Sequence, residues 1–223
     1  MEPTRRLRPL VPLAALLAAL GSGCRHYEAV RYLSPEFHAR APGRVAVLPF
    51  DNRSTDLVGP ELLRKLVVAD LRSHGYEPQP LEDVDAKLRE IGVTDGGQLR
   101  AVRAEKLRET LGEDGLVYGT VEEFAFLNVG FAVRRVVRLH LRFVNGATGE
   151  TLWEDTGQGI TEWFTFKRKD AERAFMEGVA QRALELAFRT PLMPESREAI
   201  RQLFYKLPPR PTGSGAARVQ ASY

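Results

Sequence analysis

Cysteine is almost absent: Cys24 is the only one in 223 residues. A single thiol cannot close an internal disulfide, so no disulfide framework can stand in for a hydrophobic core. Histidine is scarce too. His26, His38, His74 and His140 are far apart, in no metal-ligand spacing such as HExxH, and no zinc site can be assembled from them. No G-x-S-x-G elbow, no P-loop and no internal repeat occurs. After residue 24 no apolar run approaches the roughly 20 residues that a membrane-spanning helix needs. An excess of one charge is also missing. Setting residues 1–23 aside removes Arg5, Arg6, Arg8 and Glu2 and takes the formal charge from +3 to +1. Such a balance gives no bulk attraction for nucleic acid.

What is present begins at the N-terminus. Three arginines precede an apolar run from Pro9 to Leu20, and Gly21-Ser22-Gly23 lead into Cys24. Charged, then apolar, then small is the order of a secretory signal. A cysteine directly after the small residues resembles a bacterial lipobox, in which the thiol is acylated and becomes the new N-terminus. Gly21 stands where lipoboxes usually carry an aliphatic residue, with Leu20 one step earlier. The alternative is ordinary secretion with a free thiol left over. The expectation is lipidation at Cys24, an N-terminal diacylglycerol and acyl group as the only attached group, and no other cofactor or metal.

Arg25 to Gly43, broken by Pro35, Pro42 and Gly43, reads as a tether (residues 24–43). Fully extended, it would reach about 60 Å at ~3.3 Å per residue. Val45-Ala46-Val47-Leu48 before Pro49 reads as a buried central strand, and Gly59 to about His74 as an amphipathic helix. Tyr76 to Pro80 suits a short edge strand. Helical pattern returns over Glu82–Ile91 and more weakly over Gln98–Leu111, with Gly92 and Gly112 as stops. Leu116–Phe126 and Phe131–Asn145 then form an antiparallel pair. In the second, Val137, Leu139, Leu141 and Phe143 face one way and Arg138, His140 and Arg142 the other. A third strand is expected around Glu150–Gly157, a long helix over Asp170–Phe188, and a short helix from Pro194 to about Tyr205. Residues 206–223 lack the apolar content to fold and are expected to be a dispensable disordered tail. One α/β domain over 44–205 follows, with its core at 44–160.

Few residues suggest chemistry. Asp51, Asn52, Arg53 and Ser54 lie at the C-terminal edge of the first strand, where open α/β sheets bind ligands. The competing reading is a capped loop, and no nucleophile–base pair is in reach. Asn145–Gly149 is a tight turn between strands, not a phosphate loop. Of Glu122 and Glu123, one can answer Arg138 or Arg142 across the hairpin. His140 reads as part of a solvated strand face. Arg134, Arg135 and Arg138 lack the interleaved aromatics of a nucleic-acid surface. Trp163, Phe164 and Phe166 are core beneath the long helix, a strand continuation, or an aromatic patch meeting a bilayer or a neighbouring subunit.

Tyr27, RVAVLPFDNRS, AEKLRETLGEDGLVYGTVEEF and NGATGETLWE together resemble a bacterial lipoprotein family of unknown function, typified by a neisserial vaccine-antigen lipoprotein. The resemblance covers about residues 24–160, and NGATGETLWE is its most specific part. More distantly, V-x-V-L-P-F and T-G-x-x-L-W recur in CsgG-like curli-secretion lipoproteins, LpoB-type activators and the N-terminal domain of TolB. The resemblance implies a mixed β-sheet flanked by helices, anchored at the outer membrane and facing the periplasm. It implies binding and assembly without catalysis, with a CsgG-like lipoprotein or a second copy of the chain as partner. A curli-type secretion pore subunit and a tethered activator of a cell-wall synthase are the alternatives. The arginines at 134, 135, 138 and 142 would make a poor lipid face for a pore hairpin.

Overall fold

Val45, Ala46, Val47 and Leu48 are all fully buried, as a continuous apolar run requires of a strand covered on both faces. In the computed structural model residues 31–129, 131–164, 176–180, 182–183 and 191–210 are described. The elements run β1 (Tyr32–Leu33), α1 (Phe37–Arg40), β2 (Arg44–Val47), β3 (Asp51–Asn52), α2 (Gly59–Ser73), β4 (Glu77–Pro78) and α3 (Leu81–Glu90). A 3-10 turn (Gly96–Ala101) precedes α4 (Ala104–Leu111), β5 (Gly115–Asn128), β6 (Ala132–Asn145), β7 (Thr151–Phe164) and α5 (Met193–Lys206). Seven strands make one mixed sheet in the order β1-β7-β6-β5-β2-β4, with β3 paired to β5. β2 is parallel to β4 and β5, while β5, β6 and β7 form an antiparallel meander. The fold is therefore a mixed sheet flanked by helices, as expected.

Alternation divides the core in two. Val45, Val47, Val117, Val121, Leu139, Leu141 and Phe143 pack under α2 and α5. Ala46, Leu48, Leu116 and Val144 pack on the other face against Val84 and Leu88 of α3 and Leu107 and Leu111 of α4. A register shift between Val121 and Glu123 changes which residues of β5 meet β6. Glu123 consequently faces Arg134 at 2.7 Å and Arg138 at 3.2 Å.

The C-terminal helix lies unusually close to β7. A Cβ at Gly157 would collide with the Ala199 carbonyl, and one at Gly159 with the Glu195 carbonyl. Only glycines allow this approach. It brings the buried Glu195 carboxylate to Arg135 Nε at 2.9 Å and to the Thr161 hydroxyl, which donates at 2.7 Å. Burial pushes the Glu195 carboxyl up, but hydrogen bonds from Arg135 and Thr161 outweigh it and hold the group below its ordinary range. Buried Asp155 secures the far end of α5 through Lys206 at 3.1 Å.

Several expectations are corrected. Most of the stretch assigned to a tether is folded. Leu33 pairs with Trp153, Ser34 N–H donates to the Leu152 carbonyl, and Phe37 is buried edge-on to Phe143. Isolated anchors rather than a periodic pattern hold this segment, so its prolines and glycine masked it. The start of the expected tail is docked as well: Leu207 is buried, the Tyr76 hydroxyl donates to the Pro208 carbonyl, and Arg210 pairs with Glu77. The third strand continues to Phe164, past the glycines that make room for α5. The pattern over Gln98–Leu111 splits into the 3-10 turn and α4, because Val102 and Arg103 are extended. Of the helix expected over Asp170–Phe188, residues 176–180 and 182–183 are described and are helical; the remainder lies outside the described residues.

Removing one partner of a buried ion pair costs about 3–5 kcal/mol, so Glu195→Ala should lower stability by that order in chemical denaturation. The depressed Glu195 carboxyl stabilises the fold fully above the ordinary carboxylate range, and that contribution is lost as pH falls through its lowered folded value. The stability gap between wild type and Glu195→Gln should therefore narrow on acidification. Truncation after Lys206 should destabilise the domain, since burying a leucine such as Leu207 is worth about 1.5–3 kcal/mol.

Candidate functional site

Two places on the sheet stand out. The first lies where β2 stops and β3 takes over the same edge of β5, setting Asp51 beside Thr120. The 3-10 turn closes over this point. Gly96 meets the Phe50–Asp51 peptide so tightly that no side chain could fit there. Asp95 Oδ1 accepts from Gly97 N–H at 2.7 Å, and Gln98 Oε1 accepts from the Thr94 and Asp95 N–H groups at 2.8 and 3.1 Å. This geometry brings Arg100 onto the Asp51 carboxylate, which Arg53 approaches to 3.7 Å.

The floor of the resulting cleft is the polar face of the meander. Register sets two rows across the strands, Tyr118–Arg142–Glu154 and Thr120–His140–Thr156. His140 is held from both ends, by Glu154 Oε1 at Nε2 (3.0 Å) and by Thr156 Oγ1 at Nδ1 (3.1 Å). The Arg142 guanidinium carbon sits 4.7 Å from the centre of the Tyr118 ring. Burial pushes the Tyr118 phenol up in pKa, against the pull of Arg142. The cleft has a volume of about 240 Å³.

Asp51 and Arg53, singled out from the sequence, line this cleft. Asn52 does not. Its side chain organises the loop, accepting from Ser54 N–H and hydroxyl at 3.0 and 2.7 Å and donating to the Asp56 carbonyl at 2.8 Å. Asp56 in turn accepts from the Val58 and Gly59 N–H groups and so caps α2. Tyr118, His140, Arg142, Glu154 and Arg100 were missed as site residues. The alternation of β6 puts His140 and Arg142 on the polar face, but the identity of their neighbours depends on strand order and register. Thr156, His140 and Glu154 superficially suggest a hydroxyl–imidazole–carboxylate relay, yet Thr156 is buried and does not line the cleft. Ser54, the other hydroxyl considered, is bonded to an amide oxygen and not to a base. Among the described residues no group of three His, Cys, Asp or Glu side chains could hold a metal ion.

The second place is the far end of the meander. Trp163 and Phe164 continue β7, opposite Val133 and Ala132, and are 41% and 62% exposed. Phe131, Leu127 and Val129 nearby are exposed as well. Trp163 thus continues the strand, and it lines a pocket with Glu177 and Gly178 of the described part of the long helix. The arginines of this region are engaged within the fold: Arg134 with Glu123 and Glu162, Arg138 with Glu123, and Arg135 with Glu195. Cys24 and Phe166 lie outside the described residues.

Residues 32–170 match the GNA1162-like lipoprotein family. Over 148 residues the chain is 30% identical to lipoprotein NMB1124/NMB1162 of Neisseria meningitidis serogroup B (strain ATCC BAA-335 / MC58), covering 66% of this chain and 68% of that protein. The crystal structure of lipoprotein GNA1162 from Neisseria meningitidis superposes with a TM-score of 0.52 at 25% identity, over 64% of this chain and 99% of that one. The solution structure of LpoB from E. coli overlaps more loosely, with a TM-score of 0.42 at 14% identity over 55% of this chain and 59% of that one. The family match spans most of the described sheet and its helices, and the chain belongs to the GNA1162-like lipoproteins.

Proposed function

We propose that this lipoprotein is anchored through an acyl group on Cys24 in the outer membrane, faces the periplasm, and works without catalysis as an assembly component of an envelope system. One observation carries this reading: at one end of a regular antiparallel meander Phe164 and Leu127 are exposed on one face of the sheet and Trp163 on the other, with Phe131 exposed just before β6. Large apolar groups gathered on a surface mark places where another molecule binds, and aromatic anchors dominate interface energies. The partner is an envelope protein, either a CsgG-like lipoprotein or a second copy of this chain. The polar cleft fits the non-catalytic reading, because its carboxylates are engaged by Arg100, Arg53 and His140.

The sequence separation fits the same reading: β1 begins at Tyr32, eight positions after Cys24. Arg25 after the lipid cysteine is not an acidic retention signal, which favours the outer membrane. Cys24→Ser should abolish fatty-acid labelling and release the protein from the membrane fraction. Unchanged membrane partition would rule out the anchor.

The binding surface has its own test. Trp163→Ala combined with Phe164→Ala should change stability by less than about 1 kcal/mol, as exposed positions do. The same variant should lose its native assemblies in size-exclusion and crosslinking measurements on membranes. Wild-type assemblies in the folded double variant would refute the proposed surface.

A further inference from the structure

The charges lining the cleft do not pair off evenly. Asp51 is taken up by Arg100 and Arg53, and Glu154 by His140. Arg142 has no carboxylate within ion-pair distance among the described residues and lies over the Tyr118 ring. Stacking holds a guanidinium plane while leaving its N–H edge available, and that edge fits the two oxygens of a carboxylate. We propose that the cleft binds a small carboxylic acid that also carries an N–H donor, with the carboxylate on Arg142. This inference is independent of the assembly surface at the other end of the meander.

Three observations set the ligand class. The cleft volume of about 240 Å³ lies below the roughly 300–1,000 Å³ of drug-sized sites, so the ligand is compact. Glu154 stands directly across from Arg142, and Asp51 lines the same cleft. With Asp51 offset by Arg100 and Arg53, the one arginine among the described lining residues left for an anion is Arg142, which matches a monoanion better than a dianionic phosphate. The oxygens of Glu154 and Asp51 also supply acceptors for an N–H group on the ligand. His140, held in place by Glu154 and Thr156, lines the floor beside them. A free amino acid and the carboxyl end of a short peptide share this chemistry.

The test is titration of the mature full chain in detergent micelles, followed by calorimetry and by NMR of the Thr120 amide. The probes are alanine, N-acetylalanine, N-acetylalaninamide and inorganic phosphate. At least one of the two acids should bind saturably and shift Thr120, while the amide should not. Preference for N-acetylalanine identifies a peptide end, and preference for alanine a free amino acid; either supports the site. Arg142→Gln should weaken acid binding more than about tenfold, as loss of a charge-assisted fork does. Arg142→Lys, which keeps the charge and loses the fork, should weaken it about threefold or more. Lys65→Gln should change it less than about twofold, because Lys65 is exposed on α2 and does not line the cleft. Circular dichroism confirms that each variant is folded. Equal binding of acid and amide, tighter binding of phosphate, unchanged affinity in folded Arg142→Gln, or no saturable binding below about 10 mM would each overturn the proposal.

Discussion

The molecule depends on the two-residue alternation of β6. With a hydrogen-bonded neighbour on each side, this strand has one register in which Val137, Leu139, Leu141 and Phe143 all enter the core. A slip of one residue would exchange the two faces and place Arg138, His140 and Arg142 under the helices. The same register builds the floor of the cleft, since His140 and Arg142 find Thr120, Tyr118, Glu154 and Thr156 only as cross-strand partners. The shift at Glu122 adjusts the outer half of β5 so that Glu123 can answer two arginines. Core, cleft and exposed end are therefore consequences of one pattern.

Much of this was legible in the chain. Val45–Leu48 reads as a central strand because burial on both faces leaves no room for polar residues. Gly92 and Gly112 read as helix stops, and both adopt the left-handed backbone that a stop requires. The strands around residues 116–145 follow from strict alternation. What could not be read depends on contacts between distant segments. Phe37 and Leu207 are single apolar residues in otherwise irregular stretches, and only Phe143 and the rest of the core turn them into anchors. Gly157 and Gly159 look like strand breakers, but they are the surface onto which α5 settles. Cleft residues were half visible: Asp51 and Arg53 by their place at a strand end, Arg142 and Tyr118 not at all as partners.

The two ends of the meander divide the chemistry. At one, charged groups are oriented by hydrogen bonds in a small concave site; at the other, aromatic and aliphatic side chains face outward on regular strands. Such a plan fits the proposed docking role, with the concave polar site at the opposite end of the same strands.

The central claim is that the Trp163–Phe164 end of the meander is the assembly surface. The most direct measurement is photocrosslinking in intact cells from a probe placed at Phe164, with one at Tyr205 as reference. Tyr205 lies on α5 and is highly exposed, so exposure alone favours it. The account predicts an adduct of discrete mass, to an envelope protein or a second copy, from position 164 and little from position 205. Equal yields from the two positions, or no discrete adduct from position 164, would contradict it.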